Sequence, residues 1–305
     1  MTVRRLPPRD AAPEEPRPPK NPHLVAAPRL ARAFARPRAG RAALIPYLTG
    51  GHPDVPTSDR LVETLVEAGA DIVELGVPFS DPIADGPVVQ RSTHEALEAG
   101  VTPDDVFALA AAHAGAAPFV LLTYLNTVLA AGPDAFFARA AASGVEALVI
   151  PDLPLDEAAT PDFPPAASGL PGAPAGLAGL AAARGVSLVP LATPTSTDAR
   201  LDMVAAAATS FIYCVAVTGV TGARAAVGDE LPGLLARLRE RTRVPLAVGF
   251  GISTPEQAAQ VAPLADGVIV GSALIDAVSR AATADDACAA AGELVRAVSA
   301  AIAGA

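Results

Sequence analysis

One lysine serves the whole chain: Lys20, in a Pro- and Arg-rich segment. Imine chemistry therefore has no nucleophile in the body of the protein. The four histidines, His23, His52, His94 and His113, form no HxH or HxxxH pair, and no Cys/His cluster exists. Metal-assisted chemistry is not expected from such a set. The two cysteines, Cys214 and Cys288, lie far apart without a spacing signal, which suggests a reduced, cytoplasmic protein rather than a disulfide framework. Tryptophan is absent and aromatics make up only 4% of residues, yet 51% are hydrophobic and the mean hydropathy is +0.39. The core must be built of Ala, Val and Leu. No apolar run approaches the ~18–20 residues that span a bilayer, and no apolar stretch behind Met1–Arg5 reads as a secretory signal. Basic residues number 22 against 32 acidic, a net charge of −10. That balance argues against nucleic acid, which needs a basic footprint. Asp, Glu, Tyr and backbone dipoles are left to do any chemistry.

What is present is a regular alternation. Short β-rich runs fall near Ala43–Leu48, Ile72–Leu75, Phe119–Tyr124, Ala147–Ile150, Ser187–Leu191, Phe211–Val215, Pro245–Val248 and Gly267–Val270. Helical patterns separate them near Ser58–Glu67, Pro103–Ala112, Asp134–Ala142, Leu177–Ala183, Asp198–Ala207, Leu231–Arg239 and Pro255–Ala262. A shorter helix opens at Ser272, and a last one covers Ala284–Ala301. Caps are expected at Thr57-Ser58-Asp59, Thr102-Pro103 and Ser253-Thr254-Pro255. Strands alternating evenly with helices, without hairpin signals, predict a (β/α)8 TIM barrel; an open doubly wound sheet fits less well because no GxGxxG opens the first helix. Residues 1–27 read as a disordered extension, and 28–305 as a single barrel domain with an extra N-terminal helix. The Pro/Gly/Ala-rich stretch 158–176 reads as a long loop, a surface insertion or a partner contact.

The candidate chemistry sits at predicted strand ends, which face the active site in such barrels. Glu74 interrupts the apolar run Ile72–Leu75, and the loop after it carries Asp81 and Asp85 between prolines. A charged group in a barrel mouth is costly unless used or paired; the alternative for Glu74 is a surface position. Asp85 and Asp81 could equally be turn formers or helix caps. After the seventh and eighth strands, Gly249-Phe250-Gly251-Ile252-Ser253 and Val270-Gly271-Ser272-Ala273 open helices. Their N–H groups can cradle an anion at a helix N-terminus, with Gly251, Gly271 and Ser272 as donors. Gly219-Val220-Thr221-Gly222 adds a Gly-flanked loop in which Gly222 is a further donor. Tyr47, Tyr124 and Tyr213 all fall on predicted strands and could be core or pocket residues, with Tyr213 the candidate ligand-facing hydroxyl. Tyr47 and Tyr124, with Leu122 and Phe79, could wall an apolar pocket for a flat ring.

Taken together these motifs resemble the tryptophan synthase alpha chain over roughly residues 28–303. The resemblance rests on Pro46–Gly51, the long block Glu74–Pro87, Tyr124-Leu125-Asn126, Pro151-Asp152-Leu153-Pro154, Gly219–Gly222, Gly249–Ser253 and Gly271–Ala273. It implies retro-aldol cleavage of indole-3-glycerol phosphate to indole and glyceraldehyde 3-phosphate. Glu74 then matches the family's acid/base and Asp85 the acceptor for the indole N–H. Gly222, Gly251, Gly271 and Ser272 match the phosphate cradle, and Tyr213 a pocket tyrosine near the acid. Asp81 and Thr221 match a pair whose contact accompanies loop closure. Val217-Thr218 stands where some members carry Arg and a small residue. The resemblance further implies a beta-subunit partner in an alpha2-beta2 tetramer. It assigns no cofactor to this chain, since pyridoxal phosphate is expected only in the beta subunit. A free-standing lyase, another phosphosugar barrel and a non-enzymatic activator of the partner are the competing readings.

Overall fold

The computed structural model describes residues 27–35, 41–159, 176–215, 230–249 and 251–305. Nine strands occur among them: β1 (Ala43–Thr49), β2 (Val73–Gly76), β3 (Phe119–Leu122), β4 (Val145–Val149), β5 (Ser187–Val189), β6 (Leu191–Ala192), β7 (Ile212–Val215), β8 (Leu246–Gly249) and β9 (Gly267–Val270). All pair in parallel, in the order β5-β4-β3-β2-β1-β9-β8-β7-β6. β5 and β6 end the list on opposite sides, yet only Pro190 separates them. The ring therefore closes on itself, and the nine segments are the eight strands of a barrel. Proline has no N–H to give to a ladder, so the fifth predicted strand breaks there. Its carbonyl still accepts from Tyr213 N at 3.0 Å and carries the pairing across the break. Nearly every strand residue is buried, as expected where helices cover one face of a parallel sheet and side chains fill the other.

Most helices begin where their caps place them. Thr254 accepts from Gln257 N while Gln257 Oε1 accepts from Thr254 N, a reciprocal box opening Pro255–Val261. Thr102 precedes Pro103–Ala112 and donates its N–H to Asp105 at 2.8 Å. The first predicted cap is displaced. Asp54, not Thr57, caps the helix Val55–Glu67, because its carboxylate accepts from Thr57 N at 2.8 Å.

The expected N-terminal helix runs Pro28–Ala35 and lies across the N-terminal ends of the strands. Leu30 is fully buried, and Phe34 meets Phe211 with ring centroids 5.5 Å apart. Glu146, at the start of β4, accepts from Arg29 N (3.1 Å) and Leu30 N (3.0 Å). A carboxylate thus takes the unpaired N–H groups of the helix start, where the helix dipole also favours it. The predicted tail falls outside the described residues except Ala27, which is buried at the helix start. The predicted insertion is bounded by the helices Leu155–Ala158 and Gly176–Ala183, and its interior is likewise outside them.

Candidate active site

β2 is apolar but for its second residue. Glu74 lies beside Tyr47 of β1 and Val120 of β3, two residues before the strand ends at Gly76. It is thus deeper than the strand tip, and 1% exposed. Neither carboxylate oxygen has a hydrogen-bond partner among the described residues. Burial, and then the nearby charge of Asp85, push its pKa up to about 8. The surface alternative for Glu74 is excluded, and at neutral pH the group is a carboxylic acid.

The loop after β2 folds back over the strand ends. Val77 N donates to Leu122 O at 2.8 Å, which ties the loop's start to β3. Asp85 N donates to Pro82 O at 3.1 Å, and the Gln90 amide donates to Asp85 O at 2.8 Å. Gly86, not Asp85, caps the helix Pro87–Glu98, so the capping alternative for Asp85 falls. Its side chain instead meets Tyr124, whose hydroxyl donates to Asp85 Oδ2 at 3.0 Å. Ala84 N donates in turn to that hydroxyl at 3.0 Å, and Phe79 stacks on the ring with centroids 5.0 Å apart. Burial raises the Asp85 pKa to about 6, with the Tyr124 hydrogen bond acting in the lowering direction. As pH rises Asp85 loses its proton before Glu74 loses its own, so the pair divides into one carboxylate and one acid near pH 7.

Two tyrosines reach the barrel interior across glycines. A Cβ on Gly76 would lie 2.1 Å from Tyr47 Oη, and one on Gly249 would lie 2.5 Å from Tyr213 Oη. Each ring occupies the space that a side chain on the neighbouring strand would fill. Tyr47, Tyr213, Leu122 and Asp85 line one cavity together with Gly251, Gly271 and Ser272. Val89, Ile252 and Ile269 complete its apolar wall. Glu74 is not exposed on that wall, but its charge and that of Asp85 both raise the pKa of Tyr47 and Tyr213 after burial does. Gly251 has φ +90°, a left-handed conformation open to glycine, and Gly271 caps the helix Ser272–Ser279. The cavity wall thus carries the Asp85 carboxyl, with Glu74 buried nearby, together with two Gly-rich turns, one of which opens the helix Ser272–Ser279 without a side-chain cap. Such an arrangement suits a ligand with a flat apolar part and an anionic tail.

A family model described as "Tryptophan synthase alpha chain" matches residues 34–302. The tryptophan synthase alpha chain of Carboxydothermus hydrogenoformans is 43% identical over 251 residues, covering 81% of this chain and 88% of that one. The alpha chain of Chloroflexus aurantiacus is 45% identical over 256 residues, covering 83% and 90%. A structure of Mycobacterium tuberculosis tryptophan synthase superposes with a TM-score of 0.78 at 38% identity, covering 90% of this chain and 98% of that one. Tryptophan synthase subunit alpha from Legionella pneumophila gives 0.77 at 33% identity, covering 91% and 99%. This chain belongs to the tryptophan synthase alpha chain family.

Most of the candidate residues read from the sequence lie in one region of the barrel. Asp85, Tyr47, Leu122, Tyr213, Gly251, Gly271 and Ser272 share the cavity wall, and Glu74 lies off the wall, near enough to Asp85 for its charge to raise the Glu74 pKa. Thr221 and Gly222, with Val217-Thr218, lie outside the described residues, so the closing pair has only Asp81 on view. Asp81 is exposed; its carboxylate accepts from Ser80 Oγ at 2.5 Å, and its carbonyl from Ile83 N at 2.8 Å. Tyr124 is not on a strand. It is the N-cap of the helix Leu125–Ala131, and its work is to hold Asp85. No periodicity marked that role: Tyr124 closes an apolar run and reads as its last strand residue.

Proposed function

We propose that this alpha chain cleaves indole-3-glycerol phosphate to indole and glyceraldehyde 3-phosphate, with Glu74 moving both protons and Asp85 holding the indole N–H. One observation carries the assignment: a buried carboxyl, Glu74, and a half-buried one, Asp85, with separated pKa values of about 8 and about 6, lie at the cavity that the Gly251 and Gly271 turns also line.

Indole is a poor leaving group until its C3 carries a proton. Glu74, held as the acid by burial, can supply that proton; its carboxylate then takes one from the glycerol hydroxyl as the C–C bond breaks and the aldehyde forms. The proton count closes, and Glu74 returns to its starting state. Protonation at C3 puts positive charge on the ring nitrogen. Asp85 is ionised near neutral pH; Tyr124 occupies its Oδ2 and leaves Oδ1 to accept from the indole N–H. Glu74 reaches the substrate by turning toward the cavity, a rearrangement compatible with contacts that tighten only in the substrate complex. The phosphate sits at the start of the helix Ser272–Ser279, against Gly251, Gly271 and Ser272, with Gly222 as the fourth donor. Contact of Thr221 with Asp81 then accompanies loop closure and excludes water.

Residues 28–305 act as one catalytic domain in this reading. No cofactor is assigned to the chain: with Lys20 its only lysine, it has no imine nucleophile in the barrel. Pyridoxal phosphate belongs to a beta subunit that receives the indole, in an alpha2-beta2 tetramer in the cytoplasm. Glu74→Gln tests the assignment. Cleavage should fall by at least ~10²-fold, the usual scale of a lost proton-transfer group, while a glycerol phosphate analogue binds as before. Normal cleavage by this variant would reject the role of Glu74.

A further inference from the structure

The helix Pro87–Glu98 reaches the cavity with its first turn. Its cap Gly86 and its Val89 are on the wall, and Asp85 is the residue just before the cap. Where this helix sits along β1 therefore decides where Asp85 stands.

Two side-chain links hold it there. Thr49, the last residue of β1, has its Oγ1 2.7 Å from Ser92 Oγ, and both are buried. The single hydroxyl hydrogen of Ser92 goes to Val89 O at 2.9 Å, which makes Thr49 the donor. In the turn that follows, His52 Nε2 lies 2.8 Å from Glu95 Oε2. His52 N donates to Thr49 O at 3.1 Å, so the two anchors on the β1 side are themselves joined. Ser92 and Glu95 are three apart and share one helix face. His52 is 2% exposed, and its Nδ1 is buried without a partner among the described residues. An unpaired buried N–H is worse tolerated than an empty lone pair, so the proton belongs on Nε2, donating to Glu95.

An imidazole with one idle nitrogen is a poor way to fill a core, since an apolar side chain would lose no hydrogen bond there. What it adds is direction: a hydrogen bond of fixed length between the β1 turn and the helix. Tyr47, two residues before Thr49, lines the facing wall. The links thus set the Asp85 side of the cavity against the Tyr47 and Glu74 side.

Building on the cleavage reaction above, we propose that His52 and Glu95 are a positioning pair that sets the placement of Asp85 through the helix Pro87–Glu98. Errors near 1 Å in such placement cost up to ~10²-fold in rate. The pair is tested with Glu95→Ala and Glu95→Gln. The Glu95 side chain is 46% exposed, so neither change should unfold the barrel. Glu95→Ala should lower kcat about tenfold at nearly unchanged KM, because the phosphate turns lie on other elements. Glu95→Gln, whose carbonyl still accepts from His52, should recover most of the loss. His52→Gln, which can donate from a similar position, should sit between them. An unchanged kcat in Glu95→Ala, an equal loss in Glu95→Gln, or an effect confined to KM would each overturn the proposal. A wild-type chain that does not cleave the substrate would overturn the cleavage reading, and the pair's role with it. Wild-type cleavage with an unaffected Glu95→Ala overturns the pair alone.

Discussion

A carboxyl group with no hydrogen-bond partner and 1% exposure cannot keep its charge at neutral pH. Glu74 therefore links stability to pH in a known direction. Below pH 4.5 it is protonated in both the folded and the unfolded chain. Between there and about 8 only the unfolded chain ionises, so folding loses stability as pH rises, and the loss levels off above the folded pKa. Gln at this position has no such term. The thermal midpoint of Glu74→Gln should gain on the wild type from pH 4.5 to about 8; a gap that stays constant across this range would count against a buried, neutral Glu74. Tyr124→Phe tests its neighbour. The lost hydrogen bond had stabilised the Asp85 anion, so the Asp85 pKa should move further above about 6. The acid limb of the activity profile should shift to higher pH, with recovery on raising the pH. At this scale the sequence was informative about Glu74, because a lone acid breaks an apolar run. It was silent on Tyr124, whose contact with Asp85 spans 39 positions and depends on how the loop folds back.

Strands and glycines explain the shape of the cavity. Gly76 ends β2 and Gly249 ends β8, each beneath a tyrosine hydroxyl from the adjoining strand. Gly76→Ala should drive the Tyr47 ring from its place, at ~1–3 kcal/mol for overpacking a filled core, and should raise KM as the wall moves. Tyr47→Phe in the same chain removes the nearest clashing atom and should restore part of the stability, as denaturant midpoints would show. The even spacing of apolar runs predicted the strands within a residue or two. It failed where a local rule intervened. Pro190 splits the fifth strand by lacking an N–H. Asp54 starts its helix before the Thr57 cap that composition suggested. The helix Leu125–Ala131 was missed because it follows a strand directly and has no side-chain cap to announce it.

At the scale of the molecule, barrel closure makes one site from distant segments. β2 bears the acid, the loop beyond it bears Asp85, and the turns after β8 and β9 share the cavity wall with Asp85. This much followed from the alternation itself, since strand C-terminal ends converge in any such barrel. The contacts that set distances did not follow, because the Tyr124–Asp85 and His52–Glu95 links join elements whose relative placement appears only after the ring closes. The central claim is that cleavage needs Glu74 protonated and Asp85 ionised at once. Its most direct test is kcat/KM for indole-3-glycerol phosphate as a function of pH. The expected result is a bell whose acid limb falls near the Asp85 pKa, about 6, and whose alkaline limb falls near that of Glu74, about 8. A profile that stays flat through both values, or rises steadily above the upper one, would contradict it.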